Sequence, residues 1–217
     1  MKISEACAQA GVTSTTLKYY IREGLVPEGE RVGTNKTVYT DAHVQRTRLA
    51  RALIETGGMS VAAARQVLGA LDSHTDSLAY VFEAAQHALR SGSSASTPAS
   101  DRSRDLASDV IASQSWAVTE DNPGFAMVAG ALDGFSTIGY TPSSEYLAGY
   151  SDAAAAVARA DLAALRGRDD PTQIAELMVV GTVMGDTLFA GLRRLAQQHE
   201  TTLVFPVEED THEGDES

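Results

Sequence analysis

Thr15, Thr16, Lys18, Tyr19, Tyr20 and Arg22 stand close together in one short stretch of the chain. Hydroxyls and cations at that density suit hydrogen bonding to phosphate oxygens and base edges, not bond-breaking chemistry. Lys18 can pair with a phosphate or a guanine edge, and Tyr19 and Tyr20 can reach a nucleic-acid backbone with their hydroxyls. Arg31, Lys36 and Tyr39 extend the same polar and cationic set. Leu17 and one of the tyrosines are the candidates for a core, and at least one of them is expected there. No nucleophile–base constellation and no phosphate loop is present, so the reading is not an enzyme. The one cysteine, Cys7, cannot make an internal disulfide or a thiolate cluster. Its neighbours Ile3, Ala6 and Ala10 make it a small core residue. His74, His87, His199 and His212 are scattered, so no metal site and no cofactor is expected.

These side chains need a scaffold, and the sequence supplies one. Ile3 to Ala10 reads as a short helix closed by Gly11, a left-handed C-cap. Thr13 or Ser14 caps a second helix through Thr16–Glu23, ending at Gly24. Two short helices with a tight glycine-led turn are a helix-turn-helix signature. Pro27 then forces an extended exit. Two extended pieces around Gly33-Thr34-Asn35 form a hairpin wing. Thr40 or Asp41 caps a third helix with Val44, Leu49, Leu53 and Ile54 on one side. Gly57-Gly58 breaks the chain, and Ser60 caps a fourth helix, Val61 to Leu71.

The order and spacing of Ile3, Glu5, Gly11-Val12, Thr16-Leu17-Lys18-Tyr19-Tyr20, Gly24-Leu25-Val26-Pro27, Arg31, Val38-Tyr39 and Gly57-Gly58-Met59-Ser60 resemble the mercury-resistance-regulator (MerR) family of transcription regulators. The resemblance implies a winged helix-turn-helix over residues 1–71 that binds double-stranded promoter DNA. It also implies a homodimer on a palindromic site, pairing through a coiled coil after the fourth helix. RNA polymerase is implied as a further partner, acting on a distorted spacer. The chain departs from the family pattern in carrying Lys18 for the usual arginine and Ile21 for glutamate. Asn35-Lys36-Thr37 replaces glycine–tyrosine–arginine. Lysine lacks arginine's planar fork.

Charge divides the chain the same way. The whole carries −12. Residues 1–71 hold nine basic and six acidic side chains, a net +3, which leaves −15 for the remainder. A basic front and an acidic rear suit a DNA-binding module joined to something that avoids DNA. Residues 72–90 read as a connecting or dimerisation helix, and 91–101 (SGSSASTPASD) as a flexible linker. An all-helical effector-binding or dimerisation domain is expected at 102–205, with an acidic tail at 206–217. Its helices are expected at 102–118, 123–138, from Pro142 to about Arg166, and from Thr172 to about Gln198. Leu203-Val204-Phe205 reads as extended. The fold class is mainly α: a winged helix-turn-helix with a hairpin wing, then an all-α rear.

The rear has no cysteine, which excludes thiolate metal sensing. Trp116, Phe125, Met127, Phe135, Tyr140, Tyr146 and Met184 could line a pocket for a small hydrophobic or aromatic effector. Asp133 and Glu145 could pair with a cationic one. The chain shows no signal peptide and no apolar run of membrane-spanning length, so a cytoplasmic regulator without a membrane partner is expected. The alternative is a ligand-independent regulator whose rear only dimerises or docks protein. In the expected long rear helix, Gly181, Gly185 and Gly191 interrupt the apolar positions Leu177, Val180, Met184, Leu188, Leu192 and Leu195. Such glycines suggest close approach of another helix.

Overall fold

The structure is a computed structural model and describes residues 1–33, 36–73, 78–90, 98–118 and 121–205. It opens with α1 (Ile3–Ala10) and α2 (Ser14–Arg22). Gly11 ends α1 at φ 69°, the left-handed cap a side chain would resist. Thr13 caps α2 by accepting the Thr16 amide at 3.1 Å. The wing pairs β1 (Glu30–Gly33) with β2 (Lys36–Val38), antiparallel, with Arg31 opposite Thr37 and an irregularity before Gly33. Thr34 and Asn35 of the expected turn lie outside the described residues.

Helix α3 (Asp41–Arg51) starts at a capping box in which Thr40 and His43 bond reciprocally. His43 Nδ1 accepts the Thr40 amide at 3.1 Å, so its Nε2 carries the proton toward the Glu28 carbonyl at 3.2 Å. A π-helical turn, Ala52–Thr56, continues α3 and was not foreseen from the sequence. Helices α4 (Val61–Ser73) and α5 (Leu78–Arg90) follow. Then come α6 (Asp101–Ser113), α7 (Pro123–Thr137), α8 (Ser144–Ala163) and α9 (Pro171–Val204). The fold is mainly α with a two-stranded wing, as the sequence indicates.

Three local expectations change. Pro142 lies before the Ser143 cap of α8, not in its first turn. Trp116 stands beyond the end of α6, after Ser115 takes a positive φ of 55°. Leu203-Val204 is helical, because α9 runs on to Val204. His74, His212, residues 91–97 of the expected linker and the expected tail lie outside the described residues.

Two cores organise the chain. The large one gathers α1–α4 around Leu17, Leu25, Leu53, Val67 and Leu68, all essentially inaccessible. It also takes in Val81, Ala85 and Ala88 of α5, and Ala175, Val179 and Val183 of α9. The first half of the last helix is thus part of the front core. The small core holds Ala107, Phe125, Ala129 and Leu132 between α6 and α7. Helix α8 buries only Ser151 and the second half of α9 is almost wholly exposed.

Candidate nucleic-acid interface

Nine cations stand in the front 71 residues, and the fold sorts them. Four arginines are consumed as internal ties. Arg46 donates to the Leu25 carbonyl at 2.9 Å, the Leu68 carbonyl at 3.0 Å and Asp72 at 2.6 Å. Arg48 reaches the Gln9 carbonyl at 2.6 Å. Arg51 bonds the Gly11 carbonyl at 2.9 Å and Glu55 at 2.7 Å. Arg65 holds the Glu23 carbonyl at 2.5 Å and its carboxylate at 2.8 Å. The carbonyls of Gln9, Gly11, Glu23 and Leu25 lie at or just past a helix C-terminus, where the backbone has no partner within its own helix and the dipole is negative.

The remaining five are exposed, Lys2 ahead of α1 and four on α2 and the wing. Lys18 on α2, Arg31 on β1 and Lys36 on β2 are exposed, and among the described residues nothing bonds their side chains. Arg22, also exposed, touches Glu23 at 3.4 Å and lies over the Tyr19 ring, 5.1 Å from its centre. Thr15 is exposed and Thr16 half-buried, its hydroxyl 2.9 Å from that of Thr13. The surface of α2 and the wing therefore presents uncommitted cations beside hydroxyls, the arrangement that phosphate and base-edge contacts require.

Two of the expected contact residues sit elsewhere. Tyr20 is 4% exposed, and burial pushes its phenol up from the ordinary value. Tyr39 is 7% exposed, its ring edge-to-face with His43 at 5.5 Å. Both rings fill the front core, leaving Tyr19 as the outward phenol of α2. Their alternation with apolar positions carried that signal: Leu17 and Tyr20 are three apart, the spacing of one helical face.

The expected effector residues do not converge on one pocket. Trp116 and Phe125 line a cleft of about 190 Å³ between α6 and α7, with Val110, Ile111 and Val128. Phe125 is itself buried in the small core. Phe135, Tyr140 and Tyr146 form a separate aromatic cluster, with centres 5.6 and 6.3 Å from Phe135, and Tyr150 continues it. Arg193 of α9 donates to the Tyr150 hydroxyl at 3.1 Å. Met127 is 65% exposed and Met184 half-buried on α9. Asp133 is already committed: it accepts from the Ser100 hydroxyl at 2.6 Å and the Ser103 hydroxyl at 3.1 Å. Glu145 is exposed in the first turn of α8. A larger apolar cleft, about 290 Å³, lies where α5, α8 and α9 meet, lined by Phe82, Leu162, Leu165, Leu177 and Met178. The sequence reading missed it, because its walls come from three distant segments. Among the described residues no group of three or more metal-ligating side chains assembles.

Residues 1–71 match the family model described as MerR HTH family regulatory protein, a class of DNA-binding regulators. A crystal structure of SCO5550 from Streptomyces coelicolor A3(2), described as a candidate transcriptional regulator, is similar over 96% of this chain and 99% of its own. The two are 24% identical, with a TM-score of 0.70. That likeness shows a shared fold through the rear helices as well as the front. No curated protein matches the chain.

Proposed function

We propose that this protein is a transcription regulator that reads promoter DNA through α2 and the β1–β2 wing. The observation that carries the reading is the division among cations: Arg46, Arg48, Arg51 and Arg65 are spent inside the fold, while Lys18, Arg22, Arg31 and Lys36 stand exposed on α2 and the wing. Two copies on a palindromic site, with RNA polymerase as the eventual partner, follow from the resemblance of residues 1–71. The test is a footprint on the DNA upstream of the gene, with Lys18→Ala and Lys36→Ala variants. A base-reading Lys18 predicts a loss of about 1–3 kcal/mol that relaxes specificity. A phosphate-pairing Lys36 predicts weaker binding to all sequences and a salt slope smaller by about 1. A Lys18→Ala protein with an unchanged specific footprint would overturn the assignment of α2.

The regulator is further proposed to respond to a small hydrophobic or aromatic molecule held among the rear helices. Support comes from the apolar cleft between α6 and α7 and from its one indole. Trp116 is the only tryptophan in the chain, so its fluorescence reports that cleft alone. Titration with a panel of apolar and aromatic compounds should shift or quench it for a true effector, with a matching change in the footprint. The scatter of the seven expected effector residues favours a second reading, in which the rear helices only pair copies or dock protein. A panel that leaves both Trp116 emission and the footprint unchanged supports that reading instead.

A further inference from the structure

We infer that a second copy of this chain packs on the uncovered seam of α9, so that the pair is held by α8 and α9 and not by α5. The inference rests on the reading of the protein as a regulator of paired sites, and it assigns the surface that makes the pair.

Helix α9 has two apolar faces. Ala175, Val179 and Val183 lie on one and are buried against the front core. At about 100° per residue, Leu177, Gly181, Met184, Leu188, Leu192 and Leu195 lie on the opposite face, within roughly 60° of its centre. The start of this second face meets α8 at the cleft with Leu162 and Leu165. Helix α8 then crosses off it: the bond between Tyr150 and Arg193 falls on a different side of α9, roughly 140° round. From Leu188 onward the seam is bare. Leu188, Leu192 and Leu195 are 64%, 55% and 66% exposed. The charged side chains of this half, Asp186, Arg193, Arg194 and Glu200, all lie off the seam.

Three features select a helix of the same chain as the occupant. The spacing of Leu177, Gly181, Met184, Leu188 and Leu195 follows the three-and-four alternation of a coiled-coil seam, which is read by another helix. Among the described residues a Cβ built at Gly181, Gly185 or Gly191 meets nothing within 4 Å, so this stretch of α9 leaves room for a closely approaching partner helix. The area also fits. Leu162, Leu188, Leu192, Leu195 and Leu203, 55–66% exposed, each hold out roughly 100 Å² of apolar surface, and the alanine-rich outer face of α8 adds to them. Together they approach the ~800 Å² per partner of a stable interface. The coiled coil that the family resemblance would assign to α5 is largely taken, because Val81, Ala85 and Ala88 are buried within this chain against α4 and α9. Two α8–α9 pairs would form a four-helix arrangement.

Sedimentation of the full-length protein tests this. Wild type should be a dimer at micromolar concentration. Leu188→Glu with Leu195→Glu should weaken self-association by about 100-fold or more and leave helicity intact, since both side chains are exposed in the single chain. Gly185→Gln should give opposite signs, a more heat-stable chain and a weaker dimer. A monomeric wild type, a dimer indifferent to these variants, or one dissociated by Tyr80→Glu on α5 instead would overturn the proposal. So would a monomer that floats with phosphatidylcholine–phosphatidylglycerol vesicles, because α9 also has the length and composition of a membrane span. Lys18→Ala should remain dimeric, so loss of DNA reading and loss of pairing are distinguished.

Discussion

The arginines of the front domain illustrate how position decides the role of a charge. Arg46 is 13% exposed along its side chain and donates to two backbone carbonyls, whereas its partner Asp72 is 62% exposed. Removing the guanidinium strands the Leu25 carbonyl in a buried setting and takes a second bond from that of Leu68, which costs more than the ion pair contributes. Arg46→Ala should lower stability by about 2–4 kcal/mol in urea unfolding. Asp72→Ala should cost under about 1 kcal/mol, the usual size of a solvated ion pair. Equal losses for the two would mean that the ion pair, not the carbonyl ties, holds α3 to α4. Among the described residues Lys18 and Lys36 have no such partners, which is why the proposed reading assigns them to DNA.

At the scale of elements, α6 and α7 are joined by one carboxylate. Asp133 on α7 accepts from the Ser100 hydroxyl, the Ser103 hydroxyl and the Ser100 amide at the start of α6. The Ser100 hydroxyl is the main cause of a carboxyl held below its usual range, with Ser103 next. A depressed folded value means that this contribution is present above the ordinary carboxylate pKa of about 4. It is lost as pH falls through the lowered value. Asp133→Asn should therefore be less stable than wild type near neutrality, and the gap should close as pH falls below about 4. Thermal unfolding across that range reads the difference directly; a gap independent of pH would show that the carboxylate's charge is not what Ser100 and Ser103 hold.

Across the whole molecule, front and rear meet along α9. Gly57, just after the π-helical turn, lies beneath Val183 of α9, and a Cβ at this position would overlap both Val183 Cγ1 and the Leu53 carbonyl. Gly57→Ala must push α9 off the front core, an overpacking cost of about 1–3 kcal/mol. Adding Val183→Ala should recover part of that loss, giving a non-additive double-mutant cycle. Additive effects would mean that α9 does not bear on the front core at this point. A 34-residue helix rises about 50 Å, and its first half is packed against the π-helical turn, α4 and α5. In the proposed dimer, its second half would set the distance between the two wings.

The sequence by itself determined the local features. Gly11, Thr13, Pro27 and Thr40 fixed where the front elements begin and end, because capping and proline geometry act over a few residues. Spacing marked out the helix-turn-helix, and charge separated front from rear. Tertiary structure alone decided which cations were free: Arg46 and Lys18 are both cations on helices, and only the carbonyls brought near Arg46 distinguish them. It also sent Tyr20 and Tyr39 to the core and divided the expected effector residues among separate places. The first half of α9 joined the front core through contacts far apart in the chain. Capping and periodicity are written in neighbouring residues; packing across such separations is not, so the division of labour within a shared composition appeared only when the chain was folded.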